Sequence, residues 1–154
     1  MECKVKILGP PIAKHRPRFA RRGKYVVTYS DQETEEGLWI LEAKRQIQQQ
    51  GGGKQTLFSG PVKVDVTCYL RRPKHHYRTG RRSGELKEGA PAVPVTTPDG
   101  DNYLKFALDC LNHCGVWPDD SYVSDVRVRK RYANYPEEAR TEIRISLDGE
   151  GASR

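Results

Sequence analysis

No apolar run in this 154-residue chain approaches the ~18 residues that a membrane span needs. The first residues, Met1-Glu2-Cys3-Lys4-Val5-Lys6, alternate polar with apolar and contain no signal-peptide core. Cysteine is sparse. Cys3, Cys68, Cys110 and Cys114 are scattered, which argues for a reduced, cytoplasmic protein rather than a disulfide scaffold. No internal repeat is present. Gly51-Gly52-Gly53-Lys54 lacks the full phosphate-loop spacing and follows a helical pattern rather than a strand. A calcium loop begun at Asp99 would need glycine at its sixth position and glutamate at its twelfth, where Leu104 and Cys110 stand. Cys110, His113 and Cys114 have no second ligand pair to complete a structural zinc site, so the two cysteines are expected in the core. His75-His76 is expected at the surface.

Positive charge is abundant. Lys and Arg total 27 against 20 Asp and Glu, a formal charge of +7, and the pI is near 9.3. Such a balance favours a polyanionic partner, nucleic acid first. An apolar share of 36% supports one modest core, and the length fits one domain.

Alternation predicts strands over Cys3–Leu8, Tyr25–Tyr29, Val62–Leu70, Tyr122–Tyr132 and Glu142–Leu147. In the third, Val62, Val64, Val66, Cys68 and Leu70 face the core, and Asp65 lies on the solvated face. In the last, Ile143, Ile145 and Leu147 face inward. Between the first two strands, Lys14 to Arg22 reads as a basic loop with one aromatic, Phe19. A first helix is expected after Ser30, a good N-cap whose capping box Glu33 completes. Leu38, Trp39, Ile40, Leu41, Ala43 and Ile47 supply its buried side, and Gly51-Gly52-Gly53 ends it. A second helix spans about Asn102 to Cys114, with Leu104, Ala107, Leu108 and Leu111 as its apolar stripe and Gly115 at C′. Residues 71–97 lose all periodicity and gather basic residues, as a functional or flexible loop does. The fold class expected is α/β in the α+β sense: a small single domain, a mixed sheet with two main helices packed on it. Residues 149–154 are expected to form a disordered tail.

A tight acidic cluster interrupts this basic chain. If residues 98–101 are extended, Asp99 and Asp101 point to one side with Cα atoms about 6–7 Å apart, a spacing that lets both reach one cation. Asp101 is also placed to cap the second helix. Lys105 lies one turn on along the same face, and Asp109 continues it, so Lys105 stands between two acids. The local alternative is a turn, a cap and a surface ion pair of little worth. After the helix comes Asp119-Asp120. A strand returning beside the helix N-terminus would deliver one of these acids to the Asp99/Asp101 pair; the plainer alternative is a polar turn.

These residues resemble the RusA family of Holliday junction resolvases. The matching stretch runs Pro98-Asp99-Gly100-Asp101-Asn102-Tyr103-Leu104-Lys105-Phe106-Ala107-Leu108-Asp109-Cys110-Leu111-Asn112, then Gly115-Val116-Trp117-Pro118-Asp119-Asp120-Ser121-Tyr122-Val123. It carries the family's Asp-x-Asp-Asn-x-x-Lys box, its downstream Asp-x-Leu and its Trp-x-Asp-Asp turn. The loop from Gly9-Pro10-Pro11 to Lys14-His15-Arg16-Pro17-Arg18 is similar to the family's first basic loop. The likeness covers most of residues 3–147. It implies a RusA-like endonuclease domain over residues 1–148, a homodimer, and Mg²⁺-dependent paired nicking of four-way DNA junctions in recombination and repair, with Mn²⁺ as an acceptable substitute. By motif, Asp99, Asp101 and Asp120 correspond to the metal-binding carboxylates and Lys105 to the essential lysine; Asp119 has no assigned role. Lys14, Arg16, Arg18, Arg21, Arg71, Arg72, Arg81 and Arg82 are the expected phosphate contacts, with Phe19 or Tyr77 stacking on a base. The implied location is the cytoplasm, at the nucleoid. The long basic loop departs from the family pattern and puts the DNA-contact geometry in question. Two other functions remain open: a branched-DNA-binding protein without catalysis, and a metal nuclease acting on flaps or RNA.

Overall fold

The alternating apolar residues of four segments form one sheet. The computed structural model describes residues 1–16, 18–29, 31–51 and 56–149. Its strands are β1 (Glu2–Leu8), β2 (Arg18–Arg22), β3 (Tyr25–Tyr29), β4 (Val62–Arg71), β5 (Val123–Ala133) and β6 (Arg140–Leu147), with helices α1 (Glu33–Gln49) and α2 (Gly100–His113). The main sheet has the order β1-β6-β4-β5. β6 pairs antiparallel with β1 and β4, and β4 pairs parallel with β5. A parallel pair needs a crossover, and α2 lies within it. This is the mixed sheet with two helices that the sequence predicts.

Each strand of the sheet has one apolar face. Val62, Val64, Val66 and Cys68 of β4, Cys3 and Val5 of β1, and Ile143 and Ile145 of β6 are fully buried. Both helices pack on that side. Trp39, Ala43 and Ile47 of α1, and Phe106, Ala107, Cys110 and Leu111 of α2, complete a single core. Trp39 meets Phe106 edge-on with ring centroids 6.1 Å apart, which joins the helices. The opposite face stays polar: Arg129 donates to both oxygens of Asp65 at 2.6 and 3.1 Å, and the Arg140 guanidinium lies 3.8 Å over the Tyr69 ring. Asp65 is thus ion-paired rather than merely solvated.

β1 is an edge strand, and Gln46 of α1 and the C-cap residue Gln50 occupy the outward backbone groups of Lys6 and Lys4. Gln46 accepts from the Lys6 N–H at 2.8 Å and donates to the Lys6 carbonyl at 2.7 Å. Gln50 does the same for Lys4, at 2.8 and 2.6 Å. The orphan donors and acceptors of a sheet edge are satisfied here by side chains.

Several expectations need correction. Arg18–Arg22, read as loop, is a strand; it pairs with β3 across a two-residue turn in which Gly23 takes φ +63°. Residue 32, not 30, is the N-cap of α1, and Ser30 lies outside the described residues. So do Pro17, Gly52, Gly53, Lys54 and residues 150–154. Leu38 and Leu41 are exposed because the buried stripe follows the four-residue step Trp39, Ala43, Ile47; Leu147, near the end of β6, is also exposed. Residues 71–97 contain two short 3₁₀ turns and a bridge between Tyr77 and Leu86.

Candidate active site

The acidic box sits where α2 begins. Asp99 is its N-cap, with extended backbone (φ −71°, ψ 153°), and its side chain makes no capping bond. The helix starts at Gly100, two residues earlier than expected, so Asp101 lies within the first turn rather than at the cap. Residues 98–101 are therefore not one extended segment. The helix end still favours negative charge at both positions. Gly100 lies against the sheet: a Cβ there would stand 3.5 Å from Val128 of β5, an ordinary van der Waals contact. Lys105 follows Asp101 by one turn, on the same face.

Lys130 of β5 fixes the approach to this helix. Its ammonium donates to the Thr96 carbonyl at 2.7 Å and to the Pro98 carbonyl at 3.1 Å, immediately before Asp99. The signal for it was present in the sequence. In Arg127-Val128-Arg129-Lys130-Arg131, Lys130 shares the parity of Val126 and Val128, not of the arginines. On the resemblance to the junction resolvases, Lys130→Met is expected to slow nicking by about 10–100-fold, the loss typical of a group that orients a ligand rather than touching it. The salt dependence of DNA binding should stay as it was. A rate left unchanged, with the salt slope reduced by about one, would make Lys130 a phosphate contact instead.

The second acidic pair is held by a buried anchor. Gly115 takes the left-handed conformation that ends α2 (φ +69°). Val116 and Trp117 are fully buried; the Trp117 Nε1–H donates to Asn112 at 3.2 Å, and Val116 accepts from the Phe58 N–H at 3.0 Å. Asp119 accepts from the Ser121 N–H at 2.7 Å and from its hydroxyl, and these bonds hold its carboxyl below the usual range. Asp119 is thus spent locally. Asp120 is exposed and has no partner among the described residues, as is true of Asp99, Asp101 and Lys105. Around them other acids are paired: Glu36 and Asp109 both hold the Lys14 ammonium, at 3.0 and 3.4 Å. Asp109 therefore serves Lys14, not Lys105.

The chain does not bring Asp120 to the Asp99/Asp101 pair. Asp120 opens a short 3₁₀ turn (Asp120–Tyr122) ahead of β5, on the C-terminal side of α2. The start of α2 lies beside Val128, well along that strand. A 14-residue helix is roughly 20 Å long, so the two acidic groups occupy its opposite ends. Among the described residues, no group of three or more His, Cys, Asp or Glu is arranged to hold a metal ion. β5 does run back beside the start of α2, but it begins, with Asp119 and Asp120, at the other end of the helix.

The expected DNA contacts divide in two. Arg16, Arg21, Arg71 and Arg81 are exposed and unpaired among the described residues. Arg18 is bound to Asp31 at 2.6 Å and Arg82 to Glu85 at 2.9 Å, yet both stay largely exposed. The Arg18 hydrogen bond, and after it that of His15, lowers the Asp31 pKa. Burial opposes the charge of Lys14, but Glu36 and then Asp109 outweigh it and raise its pKa. Arg72 is 5% exposed; it donates to Asn134 at 2.8 Å and to the Pro91 carbonyl at 2.7 Å, and lies 4.2 Å over the Tyr132 ring. Arg72 is a clamp for the 71–97 loop. Tyr77 is similarly occupied, accepting from the Tyr135 N–H at 2.9 Å.

Comparison with known proteins adds two findings. Residues 9–146 match the family model described as "Endodeoxyribonuclease RusA". A Bacillus subtilis (strain 168) protein, "Uncharacterized protein YqaN", is 33% identical over 147 residues, covering 94% of this chain and 96% of the relative.

Proposed function

The chain belongs to the RusA endodeoxyribonuclease family, and from that premise we propose a homodimeric, Mg²⁺-dependent nuclease that resolves four-way DNA junctions by paired nicks, in recombination and repair. One observation carries the site assignment. Asp99, Asp101, Asp120 and Lys105 are unpartnered among the described residues, while Asp109 on the same helix and Asp119 in the same turn are tied up. Free carboxylates at a helix start are a hard oxygen donor set, which fits Mg²⁺ or Mn²⁺. Bound there, the metal would supply a polarised phosphoryl oxygen and a water of lowered pKa. Lys105 stabilises charge developing on the phosphate, and the positive end of α2 favours the same anion. Arg16, Arg21, Arg71 and Arg81, with Arg18 and Arg82, grip backbone phosphates. Lys14 and Arg72 instead hold the loops from which those arginines project.

The separation of Asp120 from Asp99 and Asp101 supports a site shared between two copies. In a two-fold dimer, Asp120 of one copy meets Asp99 and Asp101 of the other. A junction with near two-fold symmetry then faces two such sites. Incubation of a synthetic four-way junction with and without Mg²⁺ tests the reading. We expect symmetric nicks only with the metal, and a dimer by sedimentation. Junction binding without metal-dependent nicking would favour the non-catalytic reading, and preference for flaps or RNA the other nuclease. A monomer on the junction would remove the shared site.

A further inference from the structure

The β2–β3 hairpin buries almost nothing. Phe19 is 72% exposed, Tyr25 76% and Val26 65%, and Val27 and Tyr29 are exposed as well. An isolated two-stranded hairpin is marginal in water, and one that presents its aromatics to solvent has every reason to be covered in use. Strand register sorts its residues. Arg22 and Tyr25 pair on one face, beside Val27 and Tyr29; Phe19 and Arg21 lie on the other, beside Val26. Each face thus carries an aromatic ring and a cation.

Charge selects the occupant. Between Arg18 and Tyr29 there is no Asp or Glu, and Arg21, Arg22 and Lys24 have no acidic partner among the described residues. Two copies of such a ribbon repel each other. A lipid surface wants one apolar face and one charged face, and here the two kinds of side chain are mixed on both. A polyanion that also offers flat rings above and below the ribbon matches both features: DNA bases at a place where stacking is broken.

The base of the hairpin is anchored beside the acidic box. The Lys14 N–H donates to the Asn102 carbonyl in the first turn of α2 at 3.0 Å. The His15 N–H donates to buried Gln32 at 2.7 Å, and Gln32 donates to the Ala13 carbonyl at 2.7 Å. The chain that leads into the hairpin is thus fastened to the first turn of α2, the turn that carries Asp101.

We propose that the β2–β3 hairpin is a wedge that enters the branch point of the DNA junction, with Phe19 and Tyr25 stacking on unpaired bases on its two faces. Arg21, Arg22 and Lys24 hold the flanking phosphates. The inference rests on the nuclease reading for its substrate, and the experiment separates the two. A four-way junction carries 2-aminopurine beside the branch point, or in a duplex arm as control, in metal-free buffer with EDTA. The wild-type chain should change the fluorescence of the branch probe only. Phe19→Ala with Tyr25→Ala should abolish that change and weaken junction binding by about tenfold per ring. Phe19→Trp should keep both, which guards against a folding defect. A wild-type chain that gives no branch signal, or a double variant with wild-type signal and affinity, overturns the wedge. So does a double variant that turns a dimer into a monomer, or one that loses only binding to phosphatidylglycerol vesicles. If the branch signal depends on the hairpin but wild-type chain with Mg²⁺ does not nick, the wedge stands and the nuclease reading falls. If nicking occurs and the branch signal ignores the hairpin, only the wedge falls.

Discussion

Asp99→Asn, Asp101→Asn and Asp120→Asn should each cut junction cleavage by more than the ~10–100-fold that loss of a supporting group costs, because each removes a proposed ligand outright. Junction affinity should hold or rise, since one negative charge near phosphate disappears. An equimolar mixture of Asp101→Asn with Asp120→Asn should then recover activity. If the site is shared, a mixed dimer has one damaged site lacking both carboxylates and one intact site. Random pairing leaves about a quarter of all sites intact. Single-turnover nicking by the mixture measures this. A mixture as dead as its components would place each site within one chain, and a variant with wild-type nicking would remove that residue from the metal.

Lys105→Ala should lower the single-turnover rate by about 10²–10³, the usual loss of one preorganised donor at the transition state. Binding should fall far less, because one exposed lysine adds only about one unit to the salt slope. The side chain stands on the face of Asp101 and takes no partner among the described residues. Lys105→Arg keeps the charge but changes the reach, so partial recovery there would show that charge matters more than geometry. Equal losses in affinity and in kcat/KM, with an unchanged single-turnover rate, would reduce Lys105 to a phosphate contact.

What the sequence disclosed depended on how strongly local pattern and tertiary packing agreed. Val62 to Leu70 alternates over a long run, and β4 forms there at the centre of the sheet. Gly115 ends α2 because only a residue tolerant of positive φ fits that position. β2 was hidden because Arg18–Arg22 has neither alternation nor β-branched residues; its strand character comes from backbone pairing with β3. Leu38 and Leu41 are apolar but lie off the phase set by Trp39, Ala43 and Ile47, so composition alone misplaces them. The acidic motif was visible as residues, but its division between the two ends of α2 was not, although helix length alone spaces Asp101 far from Asp120. The charge of Lys130 conceals its parity among the neighbouring arginines.

The glutamines on β1 limit how this protein can associate. A sheet with two open edges can add copies at both ends and grow into a fibre. Here Gln46 and Gln50 already take the place of a neighbouring strand along β1, so strand addition has only the β5 edge to use. When two main sheets join, that edge can meet only its counterpart in the other copy. Any growth of the sheet between copies of this chain therefore stops at two.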